Sequence, residues 1–141
     1  MDAAPADRQR TRWCAARLVN ARDVATDLGL APDAAHEVLV AAAFERWGAD
    51  APARLRGAWA IARVNDESDG DDVTIWRDAL GIQPAYWARG RSGAVHVCDD
   101  LSAIGATGDV DLTLDPEYAL ADTVHGTGLL PTATPAIGIK R

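Results

Sequence analysis

The sequence predicts an α+β fold whose strands pair antiparallel. Gly57 to Val64 is apolar at nearly every position, in both alternating sets (Ala58, Ala60 and Ala62; Trp59 and Ile61), as a strand covered on both faces requires. Residues 73–76, 85–88 and 94–98 are further short strand-like stretches. The last two are joined only through Arg89-Gly90-Arg91-Ser92-Gly93, and so tight a connection implies antiparallel pairing. Helix start and stop signals punctuate 20–48 and 115–124.

Taken in order, residues 1–12 are rich in Ala, Pro, Arg and Asp without periodicity, and a disordered N-terminal tail is expected there. Trp13 to Val19 suits a short strand. Asn20 reads as an N-cap with Asp23 as its capping-box partner, opening a helix that stops near Gly29. A second helix is expected from Ala31-Pro32-Asp33, with Asp33 as cap and Glu37 in the first turn, where the helix dipole favours an acid. Leu39, Ala42, Ala43 and Trp47 share its core face, with Val40 and Phe44 beside them, and Gly48 ends it. Asn65 to Asp72 is an acidic connection. It lacks EF-hand spacing and the closing Glu, so a solvated hairpin turn is expected rather than a calcium loop. Asp100 to Ile104 begins a short helix stopped by Gly105 and Gly108, and Asp115-Pro116-Glu117 opens a helix over 116–124. Residues 126–141 carry Gly126, Gly128, Pro131, Pro135 and Gly138 without a period, as in a linker.

At 141 residues, with 48% hydrophobic and 25% charged side chains, the chain fits one globular domain. A net charge of −7 argues against nucleic acid, whose phosphates call for clustered Lys and Arg; Arg8, Arg10 and Arg12 are too few. No stretch approaches a membrane span and no signal-peptide core is present, so a cytoplasmic protein is expected. Cys14 and Cys98 form no CxxC and no His/Cys cluster accompanies them, which leaves a metal site without support.

Several phrases stand in a telling order: Glu45-Arg46-Trp47-Gly48, Arg54-Leu55-Arg56-Gly57, then Arg77-Asp78 followed by Leu80-Gly81-Ile82 and Pro84. Together they resemble the glutaminase-type (class II glutamine amidotransferase) domain of the asparagine synthetase family. The resemblance covers about Leu18 to Arg141. It implies a four-layer α/β/β/α sandwich of the N-terminal-nucleophile type, N-terminally truncated here, with the domain at 13–125 and 126–141 leading towards a synthetase domain absent from this chain. ATP and magnesium are expected only in that missing domain, whose Ser-Gly-Gly-x-Asp-Ser loop does not occur here; Gly126-Thr127-Gly128 is too short to replace it. The expected partners are that synthetase domain or subunit and, in members that close macrolactams or β-lactams, a peptide substrate. The wording of Ala16 to Asp23 is closer to such cyclase-type members.

The family's catalytic roles are vacant at the positions the resemblance assigns. The nucleophile is a cysteine exposed as first residue, activated by its own amine. Here Asp2 follows Met1, and Cys14 would serve only after cleavage behind Trp13; a structural thiol is expected instead. The oxyanion-hole Asn-Gly becomes Ala15 and Ala16, and only Asn20 survives from the phrase, as a helix cap. The carboxylate that pairs the glutamine ammonium aligns with His36, which cannot replace it, although a gap would bring in Glu37 or Asp33. His36 is expected as a first-turn surface residue. No catalytic or metal residue is therefore expected. Asn20, Arg56, Gly57, Arg77, Asp78, Gly81 and Pro84 are expected to keep packing and turn geometry, with Arg77 and Asp78 as an ion pair at a strand end. The implied function is a glutaminase-like domain with a structural or docking role. The alternatives are an active glutamine-hydrolysing domain using Cys14 and a free-standing binding protein.

Overall fold

The computed structural model describes residues 9–65, 72–125, 134–136 and 138–140. It comprises two compact units, Met1–Gln83 and Pro84–Arg141.

In the first unit, β1 (Gln9–Leu18), β2 (Gly57–Asn65) and β3 (Val73–Arg77) form one antiparallel sheet in the order β1-β2-β3. The central place of β2 accounts for its composition. All of Trp59 to Arg63 is buried, in both alternating sets, as the doubly apolar run predicts. Helices α1 (Ala21–Leu28) and α2 (His36–Trp47) follow β1, and a 3-10 turn (Gly48–Asp50) and the short α3 (Ala51–Arg54) lead into β2. The core joins Val24 of α1, Leu39, Val40, Ala43 and Phe44 of α2, and Leu18, Trp59 and Ile61 of the sheet. Phe44 sits edge-on to Trp59 at 5.8 Å and tilted against Trp76 at 5.7 Å between ring centroids. Arg63 is buried in the same region, its guanidinium 5.8 Å from the Phe44 ring centre.

Several expectations need correction here. Residues 9–12 belong to β1, paired with β2 from Gln9↔Asn65 onward, and are not tail; residues 1–8 lie outside the described residues. Asn20 precedes α1 but makes no side-chain cap bond. Its Nδ2 donates to the Arg54 carbonyl at 2.9 Å and its Oδ1 accepts from the Arg56 N–H at 3.0 Å, so the amide ties the entry of β2 to the exit of β1. The Val19 N–H adds a 2.9 Å bond to the Arg56 carbonyl. Helix α2 starts at His36 rather than Asp33, because the chain first makes a turn closed by the Ala34 N–H on the Ala31 carbonyl. The stop at Gly29 is as expected. Gly29 is left-handed (φ 69°), and bonds from Gly29 N–H to Thr26 O and from Leu30 N–H to Ala25 O close a Schellman cap.

In the second unit, β4 (Tyr86–Arg89) and β5 (Val95–Cys98) form an antiparallel hairpin, followed by α4 (Leu101–Ala106) and α5 (Pro116–His125). Helix α4 runs through Gly105 and gives way at Gly108 (φ 70°). Asp115 caps α5 as expected, its Oδ1 accepting from the N–H groups of Glu117 and Tyr118. The described part of 126–141 is no free arm. Ala136 and Ile139 are buried with Ala88, Ile104 and Val110, and Trp87 and Lys140 exchange two 2.8 Å backbone bonds. Two apolar residues suffice to anchor this Gly- and Pro-containing segment. Residues 126–133, 137 and 141 lie outside the described residues, as does most of the acidic connection, 66–71.

Gly57 opens β2 at φ 121°, and a Cβ there would stand 2.4 Å from the Arg17 carbonyl oxygen. Gly57→Ala is expected to destabilise the fold by about 2 kcal/mol, read as a lower urea midpoint by tryptophan fluorescence. An unchanged midpoint would contradict this close approach.

Candidate functional site

The positions to which the resemblance assigns glutamine chemistry lie on β1 and at the start of α2. Cys14 sits mid-strand opposite Ile61 and packs, half-buried, against the core of the first unit. Burial, and secondarily the Glu37 carboxylate, push its thiol up to about 12, so it is protonated throughout the physiological range. Ala15 and Ala16 pair with Ala60 and Trp59 in the ladder and bring no side-chain donor. His36, the first residue of α2, is half-buried rather than on the surface. Its Nδ1 accepts the Leu18 N–H at 2.9 Å, which fastens the end of β1 to the helix. Glu37 thus acts on Cys14 only to oppose its ionisation, and the His36 Nδ1 is occupied by a backbone donor.

The loop after β3 is built around Asp78. Only 6% exposed, its carboxylate accepts the N–H groups of Ile82 (2.9 Å), Gln83 (3.0 Å), Leu80 (3.1 Å) and Trp59 (3.4 Å). The Asp78 N–H in turn donates to the Trp59 carbonyl at 2.8 Å. The expected ion pair with Arg77 does not form, because backbone donors satisfy the carboxylate. Arg77 is exposed and donates to the Gly81 carbonyl at 3.4 Å. Gly81 holds φ 61°, and a Cβ there would collide with the Arg77 guanidinium. Pro84 is the exposed first residue of the second unit. Beside the loop, a pocket of about 320 Å³ is lined by Pro52, Leu55, Trp59, Leu80 and Ile82, with Arg77 and Asp78.

The sequence did not single out a cluster in the second unit. Asp109 accepts from Ser92 Oγ (2.5 Å) and Ser92 N–H (2.9 Å), and its Oδ2 lies 3.0 Å from His96 Nε2. The Ser92 hydroxyl, the His96 ring and the Ser92 N–H hold the Asp109 carboxyl down at about 2. This is no nucleophilic triad, since the carboxylate, not the imidazole, receives the serine proton. It locks the β4–β5 turn to the Gly108–Asp109 turn, an arrangement scattered over 17 residues of sequence without a motif to announce it. Asp100 and Asp111 make similar local turns with Ser102 and Thr113. Among the described residues, no group of three or more His, Cys, Asp or Glu could hold a metal, and no helix is long and apolar enough to cross a membrane.

Mixed helices and antiparallel strands, with this carboxylate-centred loop, define an α+β domain. The chain belongs to the glutamine amidotransferase domain family, whose model matches residues 25–134. The match takes in His36, Arg56, Gly57, Arg77, Asp78, Gly81 and Pro84, and it starts beyond Cys14, Ala15, Ala16 and Asn20. No curated protein and no solved structure matches the chain.

Two outcomes are expected. In a Cys98→Ser variant, Cys14 should react with a disulfide reagent at pH 8 about three orders of magnitude more slowly in the native protein than in urea, as its thiolate fraction dictates; equal rates would contradict its raised pKa. Burial opposes ionisation of Asp78, but the N–H groups of Gln83, Ile82, Trp59 and Leu80 prevail and hold its carboxyl below the ordinary 3.8. Its stabilisation is therefore present above the ordinary carboxylate value and is lost as pH falls through the lower folded one. Asp78→Ala should cost about 2–3 kcal/mol at pH 7, and its gap from the wild type should narrow below about pH 4. A gap independent of pH would show that the charge is immaterial.

Proposed function

We propose that this chain is a glutamine-amidotransferase-type domain that does not hydrolyse glutamine and acts as a structural or docking module. Its partner on this reading is an ATP-dependent amide-forming domain related to asparagine synthase. The observation that carries the proposal is the place of Cys14, in the middle of β1 opposite Ile61 and packed half-buried against the core, where burial and the Glu37 carboxylate push its thiol up to about 12. Hydrolysis of the glutamine amide requires a thiolate nucleophile, donors for the oxyanion and a carboxylate for the substrate ammonium. At pH 7 such a thiol is ionised in only about one molecule in 10⁵. Ala15 and Ala16 offer no side-chain donor to an oxyanion, and His36 offers no negative charge.

Processing that exposed Cys14 as a first residue would sever β1, whose pairing runs from Gln9 to Leu18, and so would remove half of that ladder. What the chain keeps is framework: Gly57, Asp78 and Gly81 fix how β2 and β3 enter and leave the sheet. In the proposed setting the fold is a four-layer sandwich of the N-terminal-nucleophile type, the protein is cytoplasmic, and ATP and magnesium are bound by the synthetase partner. A substrate that brings its own amine, such as a peptide closed into a macrolactam or a β-lactam precursor, makes ammonia production unnecessary.

The family match itself favours a second reading, active glutamine hydrolysis. Ammonia release from glutamine, followed by coupled glutamate dehydrogenase alongside intact-mass measurement, separates the two. The proposal expects no ammonia above the rate of a Cys14→Ala variant. Ammonia release that Cys14→Ala abolishes would overturn it.

A further inference from the structure

We propose that the pocket beside β2 and the 78–83 loop docks an extended acidic peptide segment of another chain, with a single apolar side chain of that segment as its anchor. The pocket volume of about 320 Å³ falls at the small end of ligand sites, and its walls of Pro52, Leu55, Trp59, Leu80 and Ile82 suit one apolar group. Two of those residues are unusually open to water, Leu80 at 83% and Ile82 at 60% exposed. They stand on a loop whose N–H groups at Leu80, Ile82 and Gln83 are all tied to the buried Asp78 carboxylate. An apolar rim on a fixed loop is presented without the ordering cost a flexible loop would incur on binding.

Charge selects the partner. Arg77 lines the pocket, is exposed, and among the described residues makes one hydrogen bond, a 3.4 Å contact to the Gly81 carbonyl. Arg56, also exposed, follows the lining residue Leu55 in the chain, and Arg54, exposed and with its guanidinium 4.9 Å from the Trp47 ring centre, precedes it. The one acid in the lining, Asp78, is buried and its oxygens accept four backbone N–H groups, so it presents no open carboxylate to a basic segment. In a chain of net charge −7, this is a local positive setting around an apolar pocket. Carboxylates either side of an apolar anchor complement it, and Arg beside an apolar pocket is the composition of interface hot spots.

Fluorescence anisotropy of the full chain with three labelled heptapeptides tests this: Glu-Asp-Glu-Leu-Glu-Asp-Glu, the same peptide with Ala for Leu, and one with Lys at every acidic position. Saturable binding of the first in the micromolar range is expected, at least tenfold weaker for the Ala peptide, absent for the Lys peptide, and weakened by salt. Arg77→Gln and Leu80→Asp should each weaken it tenfold or more while circular dichroism and the thermal midpoint stay as in the wild type. Because Leu80 is exposed, its variant keeps the test decisive if Arg77→Gln disturbs the loop. Equal binding of all three peptides, insensitivity to Leu80→Asp, or no binding of the first up to about 1 mM would overturn the proposal. Glutamine hydrolysis and peptide docking are separate properties of the chain, so failure here would leave the proposed function standing.

Discussion

The carboxylate of Asp78 is the constraint on which the first unit depends. It gathers N–H groups from Leu80, Ile82 and Gln83, which would otherwise be left without partners in a tight loop, and adds one from Trp59 in the central strand. The end of β3 is thereby fixed to β2, while Asn20 fixes the start of β2 to the end of β1. Both ties join side chain to backbone across strands. Between these ties Trp59 and Ile61 pack in one core with Leu39, Val40, Ala43 and Phe44 of α2.

Those ties explain what could and could not be read in the sequence. Periodicity reports burial, so the doubly apolar β2, the core face of α2 and the antiparallel hairpins were legible. Local backbone chemistry reports itself as well, as Gly29 and Asp115 illustrate. Asn20, Asp78 and His36 were legible as special but misassigned. Each looked like a local cap, half of an ion pair or a surface residue; Asn20 and His36 instead bond to the backbone of other elements, and Asp78 to the backbone of its own loop and of Trp59. A side chain that can serve either a neighbouring N–H or a distant one is not resolved by spacing. The Ser92–His96–Asp109 cluster was invisible for the same reason, since its members meet only when two turns come together. Glycine and proline shaped the reading of 126–141 as a linker, whereas in its described part Ala136 and Ile139 are buried and Lys140 pairs with Trp87.

Function divides along the same line. The phrases around Gly57, Asp78 and Gly81, which lie within the matched range of the glutamine amidotransferase domain family, act here through backbone geometry, and none of them supplies a nucleophile or a base. The positions to which the resemblance assigns glutamine chemistry have other places in this structure. Cys14 is core, Ala15 and Ala16 are ladder, and His36 receives a backbone N–H. On the proposed reading, an apolar pocket with Arg77 at its wall, set beside a loop tied to Asp78, keeps a means of contact without a means of hydrolysis.

The most direct measurement of whether Cys14 is a spent nucleophile is intact-mass analysis after incubation with a diazoketone analogue of glutamine, which alkylates only a cysteine that can attack a bound glutamine. A mass unchanged after prolonged exposure is the predicted result. A single adduct mapped to Cys14, and prevented by excess glutamine, would contradict the proposal that this framework no longer carries out the reaction.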